Sequence, residues 1–120
     1  MSRANYDIKG SRAIQRGFSW RFVFTRRQKN RQPVDLTGLS ARFELRDSAN
    51  PETPAIVFTS DEGKIVLGDA TGTVEILLTA GDTAAIDFRH AARYRLIFSD
   101  NLGDPEVFLA GVAQIGNGWQ

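Results

Sequence analysis

The sequence predicts an all-β fold, an antiparallel β-sandwich of about seven to eight short strands with one short helical turn. Segments such as residues 39–46 alternate strictly between apolar and polar residues. A half-buried strand needs this pattern, because successive side chains point to opposite faces of the sheet. Turn-forming Gly, Asp, Asn and Pro separate the segments at intervals of about 8–12 residues. With 120 residues, 42% of them hydrophobic, the chain is predicted to be one domain with a single core.

The first quarter of the chain is predicted to contain a polar arm, two strands and a charged turn. Residues 1–10 form the arm, with a short strand around residues 6–9, and a further strand follows at residues 11–15. The next strand is residues 18–25. Four large aromatic residues alternate on one of its faces: Phe18, Trp20, Phe22 and Phe24. This spacing is typical of a core stripe rather than a ligand platform. Residues 26–31 are the tip of a hairpin.

The other strands follow in chain order, each bounded by turn residues. They are predicted at residues 39–46, 55–59, 64–67, 73–79, 92–99 and 106–115. Residues 79–86 form one helical turn, and either Thr79 or Asp82 can cap its free amides. The sandwich domain therefore spans residues 11–115, and residues 116–120 form a carboxyl-terminal tail.

Tyr94 suggests which kind of sandwich this is. It lies near the start of the penultimate predicted strand, with the small residue Ala92 two positions before it. In immunoglobulin-like sandwiches, a tyrosine at this place hydrogen-bonds back across the corner between two strands. The match is partial, since His90 stands where an acidic residue is usual. We predict an immunoglobulin-like sandwich in which Tyr94 is structural.

Charge is distributed unevenly along the chain. Residues 1–31 contain nine basic residues and one acidic residue, a net charge of +8, whereas the remaining 89 residues have a net charge of −7. A basic segment of this kind can steer assembly with an acidic protein surface. It can also bind nucleic acid through phosphate contacts, or it can be a solvated strand face with a basic hairpin tip. The four cations of the predicted tip are Arg26, Arg27, Lys29 and Arg31.

Catalytic, metal and membrane functions find little support in the sequence. The chain has no cysteine and a single histidine, His90, which excludes thiolate metal sites, cysteine nucleophiles and histidine dyads. Neither a Gly-x-Ser-x-Gly elbow nor a phosphate-binding glycine loop occurs. The carboxylates of the turn at residues 100–104 supply only part of a calcium ligand set. No apolar run approaches the roughly 20 residues of a membrane span, and the first residues lack the core of a signal peptide. We therefore expect that the protein is not an enzyme and that it binds no cofactor, metal ion or membrane.

The last predicted strand is apolar on both faces from Val107 as far as Gln114. Such a strand is covered on both sides or lies against a partner. Ile97 also falls on the outer face of its strand, and Trp119 follows in the tail, where an aromatic side chain can anchor a neighbour. The apolar residues predicted to form an interface are Ile97, Phe108, Val112 and Trp119.

Several short motifs together resemble a known group of proteins. They are Arg16-Gly17 before a strand, Pro33-Val34-Asp35-Leu36-Thr37-Gly38, Gly72-Thr73-Val74-Glu75-Ile76-Leu77-Leu78-Thr79, Thr83-Ala84-Ala85-Ile86, Tyr94-Arg95-Leu96 and Val107-Phe108-Leu109-Ala110-Gly111. Over residues 14–115, this order resembles small structural proteins of tailed bacteriophages, in particular the immunoglobulin-like amino-terminal domain of upper-baseplate and tail-adaptor proteins. Those proteins often continue into a receptor-binding or fibre-attaching region, whereas this sequence stops at Gln120. That difference favours an adaptor or decoration role.

The resemblance implies a non-enzymatic virion component, made in the host cytoplasm, that docks on other tail, baseplate or capsid subunits. Its partners would be other virion subunits in a homo-oligomeric or symmetric assembly. Two alternatives stay open. One is a nucleic-acid-binding module that uses the basic amino-terminal third. The other is a carbohydrate-binding sandwich, which the scarcity of aromatic residues outside the core stripes disfavours.

Overall fold

Two β-sheets form the framework of the computed structural model, which describes residues 4–50, 52, 55–87 and 91–116. The strands are β1 (Ala4–Asn5), β2 (Ile14–Gln15), β3 (Trp20–Thr25), β4 (Ser40–Asp47), β5 (Ile56–Thr59), β6 (Ile65–Leu67), β7 (Thr73–Leu78), β8 (Ala92–Ser99), β9 (Pro105–Ala113) and β10 (Ile115–Gly116). One short helix, α1 (Ala80–Ala84), and two 3-10 turns (Gly10–Arg12 and Asp69–Thr71) complete the regular structure. The predicted mostly β fold with antiparallel sheets is confirmed.

The chain passes several times between the two sheets. The larger sheet has the order β1-β9-β8-β4-β5, and the smaller one has the order β3-β7-β6. All pairings within these sheets are antiparallel except that of β1 with β9. A second parallel pair, β2 with β10, lies beside them. The chain therefore crosses from one sheet to the other between β3 and β4, between β5 and β6, and again between β7 and β8.

The core fills the space between the two sheets. Phe43 of β4 is fully buried, and its ring lies 5.9 Å from that of Trp20 on β3 and 5.6 Å from that of Tyr94 on β8, measured between centroids. Strand β7 alternates between buried and half-buried residues along its whole length, and β4 does so as far as Arg46. Because the inward side chains are the apolar ones, the period-two pattern of the sequence becomes the packing of the fold.

Helix α1 begins with a capping box. The Thr79 hydroxyl accepts a hydrogen bond from the Asp82 amide at 3.1 Å, and the Asp82 carboxylate accepts one from the Thr79 amide at 2.9 Å. The same carboxylate accepts a hydrogen bond from the Lys64 ammonium at 2.7 Å. Burial raises the pKa of Asp82, but the hydrogen bonds from Lys64 and Thr79 outweigh it and hold that pKa below the usual value. Thr79 and Asp82, proposed as alternative caps, thus act together.

The region before β3 differs from its prediction. A strand was expected over residues 11–15, but only Ile14–Gln15 is a strand, because the 3-10 turn Gly10–Arg12 starts at a glycine with φ of +63°. Phe18 was expected in the core stripe and is instead 57% exposed. It lies in the loop that follows Gly17, whose φ of +84° turns the chain before β3 begins. Trp20 and Phe22 are buried as predicted, and Phe24 packs against the core.

The segment predicted as an amino-terminal arm lies along β9. The Tyr6 amide donates to the Ala110 carbonyl at 3.0 Å, and the Ile8 amide donates to the Val112 carbonyl at 2.8 Å. The buried phenol of Tyr94 donates to the carbonyl of Tyr6 rather than across the corner near its own strand. Burial raises the pKa of this phenol, so it stays a protonated donor. Tyr94 therefore holds residues 4–8, which we call the edge segment, against the larger sheet. Among the described residues, no helix combines the length and the apolarity that crossing a membrane requires.

Candidate functional site: an arginine face and a basic loop

The outer face of the larger sheet carries a cluster of arginines. In the antiparallel register of β4 and β8, Arg46 lies opposite Arg93 and Glu44 lies opposite Arg95. Arg42 lies one position further along the same face of β4, opposite Ile97. Side chains two residues apart share a face of a strand, and opposite residues are close neighbours. The sheet therefore collects four arginines and one glutamate on one surface, the arginine face: Arg42, Glu44, Arg46, Arg93 and Arg95.

Glu44 organises the centre of this face. Its carboxylate accepts hydrogen bonds from Arg42 Nε at 2.8 Å and from Arg95 Nη2 at 2.8 Å. Partial burial raises the pKa of Glu44, but the two guanidinium groups outweigh that effect and the pKa lies below its usual value. Glu44 is therefore ionised at neutral pH, and one carboxylate is shared between two cations. The face keeps a net positive charge.

A groove of about 250 Å³ opens on this face. It exists because small residues lie beside the long arginine side chains: Ala55 precedes β5, and Ala110 is the outward residue of β9 opposite Arg95. Arg46, Arg93 and Arg95 line its sides. Arg93 is exposed and makes no ion pair with any described residue. A guanidinium in this setting can bind a carboxylate or phosphate oxygen through paired N–H groups.

Arg26 does not belong to a surface loop, contrary to the sequence prediction. Its side chain is only 8% exposed, and Nη2 lies 3.0 Å from the Glu106 carboxylate. Its guanidinium lies 4.2 Å from the ring centroid of Phe108 and 5.3 Å from that of Phe98. The planar cation stacks on aromatic rings while it keeps an acidic partner, so it can be buried at low cost. Arg26 is a structural residue.

The remaining cations of the predicted tip do form an exposed basic loop, which we define as residues 27–31. The Arg27 guanidinium donates to the Arg31 carbonyl at 3.0 Å, and the Arg31 amide donates to the Gln28 carbonyl at 2.9 Å. Arg27 also bridges to Pro33 across the base of the loop. The side chains of Arg27, Lys29 and Arg31 form no ion pair with a carboxylate of the described residues. Three uncompensated positive charges thus sit on an ordered loop.

The described residues of the predicted apolar interface pack mostly against other residues of the same chain. Ile97 was expected on an outer face, and it is on that face, but it is only 2% exposed because Arg42 and Val107 flank it in the neighbouring strands. Phe108 packs against the core, with its ring 5.8 Å from that of Phe24. Val112 is half-buried, and its amide donates to the Asp7 carboxylate at 3.0 Å. The edge segment therefore covers part of the strand that seemed to need a partner. Trp119 lies outside the described residues.

The arginine face is the functional candidate that sequence reasoning missed. The signal was present as Arg42-x-Glu44-x-Arg46 in one strand and Arg93-x-Arg95 in another. Each pattern alone reads as an ordinary solvated face. Only the pairing of β4 with β8, which the sequence does not give, brings the two rows together.

The described residues contain no group of three His, Cys, Asp or Glu side chains that could hold a metal ion, and His90 lies outside them. The chain matches no protein-family model, and no curated protein matches it significantly.

Proposed function

We propose that this protein is a non-enzymatic structural component of a tailed-phage virion, built as an immunoglobulin-like sandwich that docks on neighbouring subunits. The strand order supports the fold. Taken in chain order from β3 to β9, the strands correspond to B, C, C′, D, E, F and G of an immunoglobulin-like domain. In such domains B, E and D share one sheet, while C, F and G share the other and C′ extends it. The sheets β3-β7-β6 and β9-β8-β4-β5 have that composition.

The observation that carries the docking proposal is the basic loop. Arg27, Lys29 and Arg31 are exposed, and hydrogen bonds within the loop fix its backbone. A pre-ordered loop loses little conformational entropy on binding, and uncompensated charges favour an oppositely charged neighbour. The remainder of the chain, residues 32–120, has a net charge of −7. The partner of this loop in the virion is therefore another copy of the chain or a different acidic subunit. The assembly that results is homo-oligomeric or otherwise symmetric.

The test is a charge reversal that leaves the buried arginine in place. We expect R27E/K29E/R31E to fold like the parent, because all three side chains are exposed, and to be lost from purified particles, because like charges at an interface repel. The matched control R27K/K29R/R31K exchanges the cations without changing the charge and should be incorporated normally. Each variant complements a deletion of the gene, and purified particles are probed for the protein. Normal incorporation of the charge-reversed variant would refute docking through the loop.

The second candidate function is binding to nucleic acid. The same three cations, together with Arg93 on the arginine face, could neutralise phosphates. Affinity for duplex DNA would then fall steeply with salt concentration. If the purified protein bound duplex DNA tightly at low salt and R27E/K29E/R31E lost that binding, this function would replace the first.

A further inference from the structure

An exposed acidic loop joins β8 to β9. One carboxylate oxygen of Asp100 accepts hydrogen bonds from the amides of Leu102 at 2.9 Å and Asp104 at 3.0 Å. Gly103 closes the turn, with its amide 3.0 Å from the Asp100 carbonyl. The loop at residues 100–104 is thereby held in one shape. We call it the acidic tip.

Two side chains of the acidic tip are exposed to solvent, one apolar and one charged. Leu102 is 81% exposed, the largest value among the exposed large hydrophobic residues. Asp104 is exposed, and its carboxylate makes no hydrogen bond or ion pair with a described residue. A carboxylate and an apolar side chain thus stand together on an ordered loop. A matching surface would offer a cation beside an apolar floor.

The groove of the arginine face has these properties. Arg93 is an exposed guanidinium without an acidic partner, and Ala55 and Ala110 provide small apolar surface beside it. The volume of about 250 Å³ is below the range of roughly 300–1,000 Å³ that is typical of small-molecule pockets. It suits one or two inserted side chains better than a nucleotide.

We propose that the acidic tip of one copy of this chain inserts into the arginine groove of a second copy. The two surfaces lie at opposite ends of β8: Arg93 is its second residue, and the tip follows its last residue, Ser99. They are separated by about 20 Å along the strand. Because this distance prevents the tip from reaching the groove of its own chain, the contact is intermolecular. It joins different patches of the two copies and is head-to-tail, so repetition gives a ring or a filament. The inference does not rest on the proposed function.

Two single variants and their mixture test this arrangement in sedimentation experiments. The parent should show an average mass that rises with concentration beyond a dimer. R93E damages only the groove and D104K damages only the tip, so each variant alone should stay monomeric. In the mixture, the intact tip of R93E can enter the intact groove of D104K. The other groove and the other tip carry exchanged charges that are again opposite, so that contact can form as well. The mixture should therefore recover an association that neither variant shows alone.

A matched control separates this contact from general charge effects. D61K makes the same charge change at another exposed turn and should associate like the parent. L102S should weaken association, because it removes the apolar part of the tip. A parent protein that is monomeric at every attainable concentration, or a mixture of R93E and D104K that stays monomeric, would overturn the proposal. Binding of DNA that R93E abolishes and D104K leaves unchanged would assign the groove to phosphate instead.

Discussion

Replacing Gly111 with alanine should release the edge segment from the larger sheet. A Cβ atom at this position would overlap the carbonyl oxygen of Tyr6 and lie 2.9 Å from the Asp7 carboxylate. The obstacles are backbone and a carboxylate that is itself hydrogen-bonded to the Val112 amide, so neither moves freely. We expect the segment to shift away from β9 in G111A.

The contacts of the edge segment set the size of the effect. Two backbone hydrogen bonds, from Tyr6 to Ala110 and from Ile8 to Val112, contribute about 0.5–1.5 kcal/mol each. Burial of Ile8, which is 1% exposed, contributes about 1.5–3 kcal/mol. Leaving the phenol of Tyr94 without its acceptor costs about 1–3 kcal/mol. Complete release would therefore cost about 4–9 kcal/mol, and a shift that keeps part of these contacts about 2–4 kcal/mol.

Urea denaturation followed by tryptophan fluorescence measures this change in the free energy of unfolding. The matched control is G81A in helix α1, where the added Cβ has only an ordinary contact, 3.7 Å from the Thr79 hydroxyl. That variant should be as stable as the parent or up to about 1 kcal/mol more stable. Y94F removes the donor to Tyr6 and should cost about 1–3 kcal/mol. Because G111A disrupts the same contact, the double variant should lose less than the sum of the single losses. If G111A unfolded at the same urea concentration as G81A, the assigned position of the edge segment would be wrong.

Three further predictions concern the core and helix α1. Phe43→Ala should cost about 3–5 kcal/mol in urea denaturation, since it empties a fully buried site; a loss below 1 kcal/mol would contradict the inward face assigned to β4. Thr83→Val should cost about 1–3 kcal/mol by the same measurement, because the buried hydroxyl accepts from the Gly17 amide at 3.0 Å and donates to the Phe18 carbonyl at 2.7 Å; an unchanged midpoint would contradict that role. Asp82→Asn tests the lowered pKa of Asp82: the stability contributed by the carboxylate is present above the ordinary value of 3.8 and is lost as pH falls through the folded value. The difference in thermal stability between parent and D82N should therefore shrink on acidification, and a constant difference would contradict the linkage.

The sequence predicted well those features that depend on local pattern. Strand β8 has the expected bounds of residues 92–99, and β4 and β7 lie within one residue of theirs, because strict alternation is a local property of a half-buried strand. Helix α1 likewise began where its capping residues indicated.

Features that depend on partners distant in the chain were not predicted. Arg26 sits in a run of charges and so resembled a loop residue, yet its acidic partner, Glu106, lies 80 positions later. Neither segment contains a sequence pattern that predicts the parallel pairing of β1 with β9. The arginine face required the register of β4 against β8, and that register is set by core packing rather than by the outward residues. Periodicity indicates which residues share a face, but it does not say which strands meet.

The parallel pairing of β1 with β9 also has a consequence for the way the protein is made. Ala4 pairs with Leu109, so β1 leaves the ribosome about 100 residues before its partner. At about 5–20 residues per second, this interval lasts roughly 5–20 s. During that time β1 has no partner strand to join, and closing such a long loop makes folding slow. Residues 1–31, which are synthesised first, carry a net charge of +8. We expect mutual repulsion between nascent chains to oppose association of the aromatic residues of β3 until its partner strand β7 has been synthesised.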